Sequence, residues 1–288
     1  MKFKVNYYIN YNGGECKYMS IFELISNNVK LKLVNDKRSK YAISITDDKL
    51  KEKALDKLKD QISIMKTIKS FQSDYDKYKS LDKLTDDESK AEIINSFQSE
   101  DKRYEALDKL TDDWYKAEVI KTFQSDDKKY KSLDKLTNDR FKAYVIKTFQ
   151  SDDKKYESLD KLTDDGDKVR VIKSIQSEDK RYEALDKLTY DESKAEIINS
   201  FQSDDQKIKL LDKLTNDFYI TEVILSLHSD NKKIELLDKL ISIWAKIKII
   251  NSFKSDDKKI EALDKLTNDW DKIEIINSFQ SDDKRSKH

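Results

Sequence analysis

The stretch "LDKLTDDESKAEIINSFQSEDKRYEA", Leu81 to Ala106, reads as two helices. In its first half Thr85 and Glu88 are spaced as a capping box, and two acids sit in the first turn, where the helix dipole favours them. Ala91, Ile94 and Phe97 then recur at helical spacing. This helix A spans roughly twelve residues, about 18 Å. In the second half Ser99 is placed as an N-cap before Glu100 and Asp101, and Tyr104, Leu107 and Leu110 form one stripe, giving a helix B of similar length. Only one or two residues remain between them, so the helices are antiparallel neighbours.

Working outward, "LDKL" begins at Leu55, Leu81, Leu107, Leu133, Leu159, Leu185, Leu211, Leu237 and Leu263, every twenty-six residues. A hairpin of this size cannot bury its apolar face alone and stacks on copies of itself. The inward column of helix A reads Ala91, Ile94, Phe97, then Ala117, Ile120, Phe123, then Ala143, Ile146, Phe149. On the outer face of helix B, Glu105 precedes Lys109 by four residues, the favourable order for a helical ion pair, and Glu157 with Lys161, Glu183 with Lys187, Glu235 with Lys239 and Glu261 with Lys265 repeat it. The fold class expected is all-α: an α-solenoid of stacked 26-residue antiparallel helix hairpins forming an extended two-layer rod or arc.

The expected organisation is a cap over residues 1–54 and nine repeats over 55–288. Within the cap, "KLVNDKRSKYAISITDDK" (Lys32 to Lys49) echoes "KLTNDRFKAYVIKTFQSDDK" (Lys135 to Lys154), a degenerate repeat, and Ser20 and Glu23 suggest one more short helix. Phe3, Val5, Tyr7, Ile9 and Tyr11 alternate before Asn12, Gly13 and Gly14, which is a strand or hairpin signal. At the far end the chain stops before a full helix B, which is expected to leave Ile273, Ile276 and Phe279 partly uncovered and open to self-association. In the eighth repeat Ile241, Ser242 and Ile243 replace the polar "TND" or "TDD", and an apolar turn is expected to be buried.

Composition narrows the function. The 57 basic residues balance 57 acidic ones, so net charge draws the chain neither to nucleic acid nor to an anionic membrane. The single Cys16 forms no internal disulfide, and there is neither a signal-peptide core nor a run of about 18 apolar residues, which reads as soluble and intracellular. Catalysis needs a nucleophile, a tuned acid or base, or a metal. The histidines, His228 and His288, do not pair with Cys16, and Gly166 is the only glycine inside the repeats. The Ser-Asp-Asp clusters lack the glycine and distal glutamate of a calcium loop and are read as helix caps, and the lysines as a solvated, ion-paired face. The expectation is no enzyme, no metal and no cofactor.

One pair of positions varies between repeats: Ile62-Ser63, Glu88-Ser89, Trp114-Tyr115, Arg140-Phe141, Gly166-Asp167, Glu192-Ser193, Phe218-Tyr219, Trp244-Ala245 and Trp270-Asp271. It lies in the first turn of helix A, off the buried centre. Tryptophan, tyrosine and arginine commonly anchor interfaces, so Trp114, Tyr115, Arg140, Phe141, Phe218, Tyr219, Trp244 and Trp270 are the candidate binding residues. The alternative is that these rings fold down and fill gaps between repeats. Identity between distant repeats, as in "QSEDKRYEALDKLT" at Gln98 and Gln176, is explained equally by duplication.

The motif "LDKLTDDxxKAEIINSFQSDDK", free of proline and rich in Lys, Asn, Asp, Ile and Tyr, resembles the short two-helix tandem repeats of proteins from giant DNA viruses. The resemblance covers residues 55–288 in pattern, implies an interaction platform with little chemistry, and implies expression inside an infected cell. The function expected is a non-enzymatic scaffold with a protein partner. A modular nucleic-acid reader and a self-associating structural block are the alternatives.

Overall fold

In the computed structural model, residues 27–35, 39–281 and 284 are described. The alternating segment at 3–11, the helix expected at Ser20 and Cys16 lie outside them. The fold is all-α, with no strand among the described residues. The chain divides into two compact units, Met1–Phe141 and Lys142–His288.

Within each unit one hairpin follows another, A helix against A helix and B against B. In the first unit Asp87–Asn95 packs on Asp113–Lys121 and Asp74–Ser80 on Glu100–Ala106; in the second, Asp191–Asn199 packs on Asp217–Leu225 and Asp152–Ser158 on Glu178–Ala184. This is the architecture of an α-solenoid. Both helices are shorter than expected. Helix A of the second repeat has nine residues and helix B seven, after which Leu107–Lys109 tightens into a 3-10 turn.

The inward columns are buried as the periodicity predicts, with Ala91, Ile94, Phe97, Ala117, Ile120 and Phe123 in the core of the first unit. A further column, Ile93 and Val119 in the first unit and Val171, Ile197, Val223, Ile249 and Ile275 in the second, is fully buried as well. Helix A thus turns a wide apolar face inward, as a helix covered on several sides must.

The caps differ from the expected box. Asp86, not Thr85, is the N-cap, accepting from the Ser89 amide at 2.7 Å, while the Thr85 amide donates to Gln61 of the preceding repeat at 3.1 Å. Ser99 does cap helix B, accepting from the Lys102 amide at 3.3 Å. The outer ion pairs also differ: Lys109 reaches back to Asp82 at 2.7 Å, one repeat earlier, and Glu105 pairs instead with Lys102 at 2.6 Å. Lys187 with Asp160, Lys213 with Asp186 and Lys239 with Asp212 continue this ladder between 3-10 turns, and Lys83 reaches Asp56 at the end of the helix Asp48–Leu55. A lysine in the 3-10 turn has left the α-helical register and no longer lies over the residue four before it.

The acids after each cap bind between repeats. Asp87 accepts from the amides of Thr111 and Asp112 in the next repeat at 2.6 and 2.7 Å, and Asp113 accepts from Thr137 and Asn138 at 2.7 and 2.9 Å. In the second unit Asp165 holds Thr189 and Tyr190, Asp191 holds Thr215 and Asn216, and Asp217 holds Ile241 and Ser242. The B helices use the same device: Asp74 holds Gln98 and Ser99, Asp152 holds Gln176 and Ser177, and Asp256 holds Gln280 and Ser281. Capping alone therefore does not account for Ser-Asp-Asp. Ser73 and Ser151 cap their own helices while Asp74 and Asp152 close the seam to the next, and Asp256 closes its seam although Ser255 makes no side-chain cap bond.

Three residues beyond that aspartate stands a lysine, and in the B helices it is not solvated. Lys77, Lys155, Lys207 and Lys259 are buried, and their Nζ atoms donate to the carbonyl oxygens of Ser96, Ser174, Ser226 and Ser278 at 3.1, 2.9, 3.3 and 3.0 Å. Each places a cation at the carboxyl end of the next A helix, where the dipole and unpaired carbonyls favour it. Where the acid lengthens to Glu100 or Glu178 the base becomes Arg103 or Arg181, which lie over the rings of Phe123 and Phe201. In the first repeat Gln61 fills both roles, its Oε1 accepting from Thr85 and its Nε2 donating to the Lys83 carbonyl. Ahead of the repeats, Asn27 accepts from the Thr46 amide and Lys30 donates to the Ser44 carbonyl, so the same device is present in the helix Asn27–Leu33.

Candidate functional site

The varied pair sits at the second and third residues of each A helix, after Gln61 in the first repeat, Ile243 in the eighth and an aspartate in the others. The cap just before that aspartate also holds the first residue of the pair. Asp112 accepts from the Trp114 amide at 2.7 Å, Asn138 from Arg140 at 2.9 Å, Asn216 from Phe218 at 2.8 Å and Asn268 from Trp270 at 2.9 Å. The backbone under Trp114, Arg140, Phe218 and Trp270 is therefore pinned.

The structure splits the pair. The first position faces out: Trp114 is 44% exposed, Phe218 49%, Trp244 57% and Trp270 78%, and Arg140 is exposed too. The second position turns toward the seam, with Tyr115, Phe141 and Tyr219 half-buried and Ala245 buried. The two positions thus differ in exposure, the first open to solvent and the second packed toward the seam. In the first unit Trp114 meets Phe141 edge-on, with centroids 6.1 Å apart, and burial together with Glu88, Asp112, Asp86 and Asp87 pushes the Tyr115 phenol upward. Arg140 stands beside this contact in sequence, in the same first turn.

In the second unit Phe218, Trp244 and Trp270 follow one another in the seventh, eighth and ninth repeats. Phe218 packs edge-on against Tyr219 at 5.2 Å, and the Lys248 ammonium lies 5.6 Å from the Phe218 ring and 5.2 Å from Trp244 while pairing with Glu222 at 2.7 Å. Around these rings lie apolar side chains that sequence reading misplaced. Ile241, expected inside, is 94% exposed, and Ile243 is exposed as well. The backbone explains it: the amides of Ile241 and Ser242 point inward to Asp217, which turns the Ile241 side chain to solvent. Ile273 is 46% exposed and Ile276 half-buried as expected, but Phe279 is only 1% exposed. Phe279 follows helix A in the position of Phe97 and is buried as Phe97 is.

A groove of about 500 Å³ opens between the A helices of the eighth and ninth repeats, Ile243–Asn251 and Asp269–Asn277, lined by Ile243, Trp244, Ile247, Lys248, Asn251 and Glu274. Its character is apolar with a polar rim, the make-up of a protein-docking surface. Its one sequence signal was the loss of the aspartate at Ile243, legible only once the role of that aspartate is known.

His228 stands where other repeats carry Gln. Its amide and its Nδ1 both lie 3.0 Å from the Asp204 carboxylate, so it joins a seam. Among the described residues no group of three or more His, Cys, Asp and Glu side chains comes together to hold a metal, and no described helix is long and apolar enough to cross a membrane.

No protein-family model matches this chain, and no curated protein is similar to it. Among solved structures, one described as "Computational Design of Self-Assembling Cyclic Protein Homooligomers" is 12% identical over 91% of this chain and 84% of the other, with a TM-score of 0.09, a score too low to bear on shape or assembly.

Proposed function

We propose that the chain is a non-enzymatic helical-repeat scaffold that binds another protein along the first-turn edge of its A helices, chiefly in the seventh to ninth repeats. The observation that carries this reading is the run of three consecutive outward aromatic rings, Phe218, Trp244 and Trp270, with Ile241, Ile243 and Ile273 exposed among them. Isolated exposed apolar residues need no explanation, but outward rings in three consecutive repeats do. Trp114, with Tyr115, Arg140 and Phe141 around it, is a second, smaller contact point in the first unit.

Nucleic acid is the weaker reading, because the lysines of the 3-10 turns are tied to aspartates one repeat back and cannot track a phosphate backbone without breaking those pairs. Self-association through the same apolar patch is the other alternative. An intracellular setting belongs to the same proposal and rests on the single cysteine and the composition, and the infected cell rests on the resemblance of the motif to giant-virus repeats alone.

The test is peptide display on the immobilised full chain, compared with the triple variant W114A/W244A/W270A. Peptides retained by the wild type and lost by a variant of unchanged helicity support the reading. Equal retention by both overturns it. A salt-sensitive shift with single-stranded RNA would favour the nucleic-acid alternative, and a concentration-dependent mass in light scattering the self-associating one.

A further inference from the structure

The groove between the eighth and ninth repeats occupies the one A-side seam, among those described from Asp87 onward within each unit, where the residue facing the next repeat has no oxygen. In the sixth and seventh repeats Asp191 and Asp217 stand at this position and accept from the two amides that precede the next A helix. In the eighth the position is Ile243, and among the described residues none accepts from the amides of Thr267 and Asn268, both exposed residues. Ile243 also forms one wall of the groove, beside Trp244 and Ile247. An apolar surface and a pair of donors that a carboxylate occupies elsewhere in the same chain therefore meet at one residue.

We infer that this groove takes a partner segment carrying an aspartate or glutamate next to apolar side chains, the carboxylate occupying on Thr267 and Asn268 the place that Asp191 takes on Thr215 and Asn216. The inference rests on the scaffold reading above and names the chemistry of its partner. The apolar side chains lie against Ile243, Trp244 and Ile247. The carboxylate supplies what the repeat lacks, at the amino end of helix Asp269–Asn277, where backbone donors and the dipole favour an anion. Asp269 of that first turn does not bar it, since Asp217 stands in the same place beside Asn216, where Asp191 docks. A basic partner is disfavoured, because it would leave both amides without an acceptor while covering them. The remaining contacts of this seam are intact, with Lys265 paired to Asp238 and the Lys259 Nζ 3.0 Å from the Ser278 carbonyl oxygen, so the site is held open by a folded frame.

Random twelve-residue peptides displayed on phage are selected on the full chain, and the enriched sequences are synthesised with a fluorescent label. The expected result is an enriched Asp or Glu beside Trp, Phe, Leu or Ile, with affinity falling at least tenfold when that acid becomes its amide. I243D, which restores the internal carboxylate, lowers affinity by a similar factor, and the amide resonances of Thr267 and Asn268 move on binding to the wild type. If peptides bind with W244A-sensitive affinity yet tolerate both the amide and I243D, the interaction edge stands and the carboxylate inference falls. If no peptide shows W244A-sensitive binding, both fall.

Discussion

The seam between the sixth and seventh repeats and the seam between the eighth and ninth are built by equivalent hairpins, and they part at the residue that opens helix A, Asp191 in one and Ile243 in the other. In the first, Asp191 holds Thr215 and Asn216 at 2.7 Å each; in the second, Ile243 stands at the equivalent position and offers no acceptor to Thr267 and Asn268. Around the first seam the neighbouring first-turn residue is Glu192, and around the second it is Trp244, with a groove beside it. The lesson is that this solenoid separates two tasks that one side chain cannot perform together. A carboxylate closes a seam, and where closure is given up an apolar surface is offered instead.

Acid breaks the comparison with the largest effect, because it reaches several seams at once. For Asp191, burial acts to raise the carboxyl, but the amides of Thr215 and Asn216 and the Thr215 hydroxyl outweigh it and hold it below the ordinary range. Asp204 follows the same rule: burial pushes up, and the His228 amide, the His228 imidazole and the Ser229 amide bring it down to about 2. A carboxylate whose pKa is lower in the folded state contributes stability that is complete above its unfolded value of about 4 and is lost as pH falls through the folded value. Stability is therefore expected to decline between about pH 4 and pH 2. Followed by NMR, the amides of Thr215, Asn216, His228 and Ser229 should titrate over that window, whereas those of Thr267 and Asn268 should not follow it.

Replacing the seam aspartate makes the two regions alike from the other direction. D191A leaves two amides without their charged acceptor and is expected to cost about 1 to 2 kcal/mol in chemical denaturation, with faster exchange of the Thr215 and Asn216 amides. The converse change, I243D, is expected to stabilise the ninth repeat by about 1 kcal/mol and to slow exchange at Thr267 and Asn268. A destabilised I243D would show that the two seams differ in more than this residue. The smallest effect belongs to W244A, whose ring is more than half exposed. Its stability should stay within about 0.5 kcal/mol of the wild type, and a larger loss would mean that the ring holds the seam.

Much of this was legible beforehand. The column of Ala91, Ile94 and Phe97 and the Ser99 cap were readable because helical periodicity and capping act over three or four residues. The acid–lysine pairs were readable in part: Asp and Lys recur three apart in both helices, and the joint change to Glu100 with Arg103 and Glu178 with Arg181 marks them as partners. Their targets were not, since a caps-only reading already explained each acid. The expected Glu105–Lys109 pair failed because Leu107–Lys109 tightens into a 3-10 turn, and Ile241 was misplaced because hydrophobicity alone does not say which way a pinned turn faces.

By itself, then, the sequence determined an all-helical chain of stacked hairpins, their inward columns and the position at which repeats are free to differ. These follow from local spacing and from a period that only stacking can satisfy. The tertiary structure alone decided that the acids close seams 24 and 25 residues away, as Asp191 does on Thr215 and Asn216, that lysines such as Lys207 are buried against the next helix end, and that Trp244 and Trp270 face solvent. Such contacts exist only between neighbours in the stack, where the direction of each amide and each side chain is set by the repeat before it.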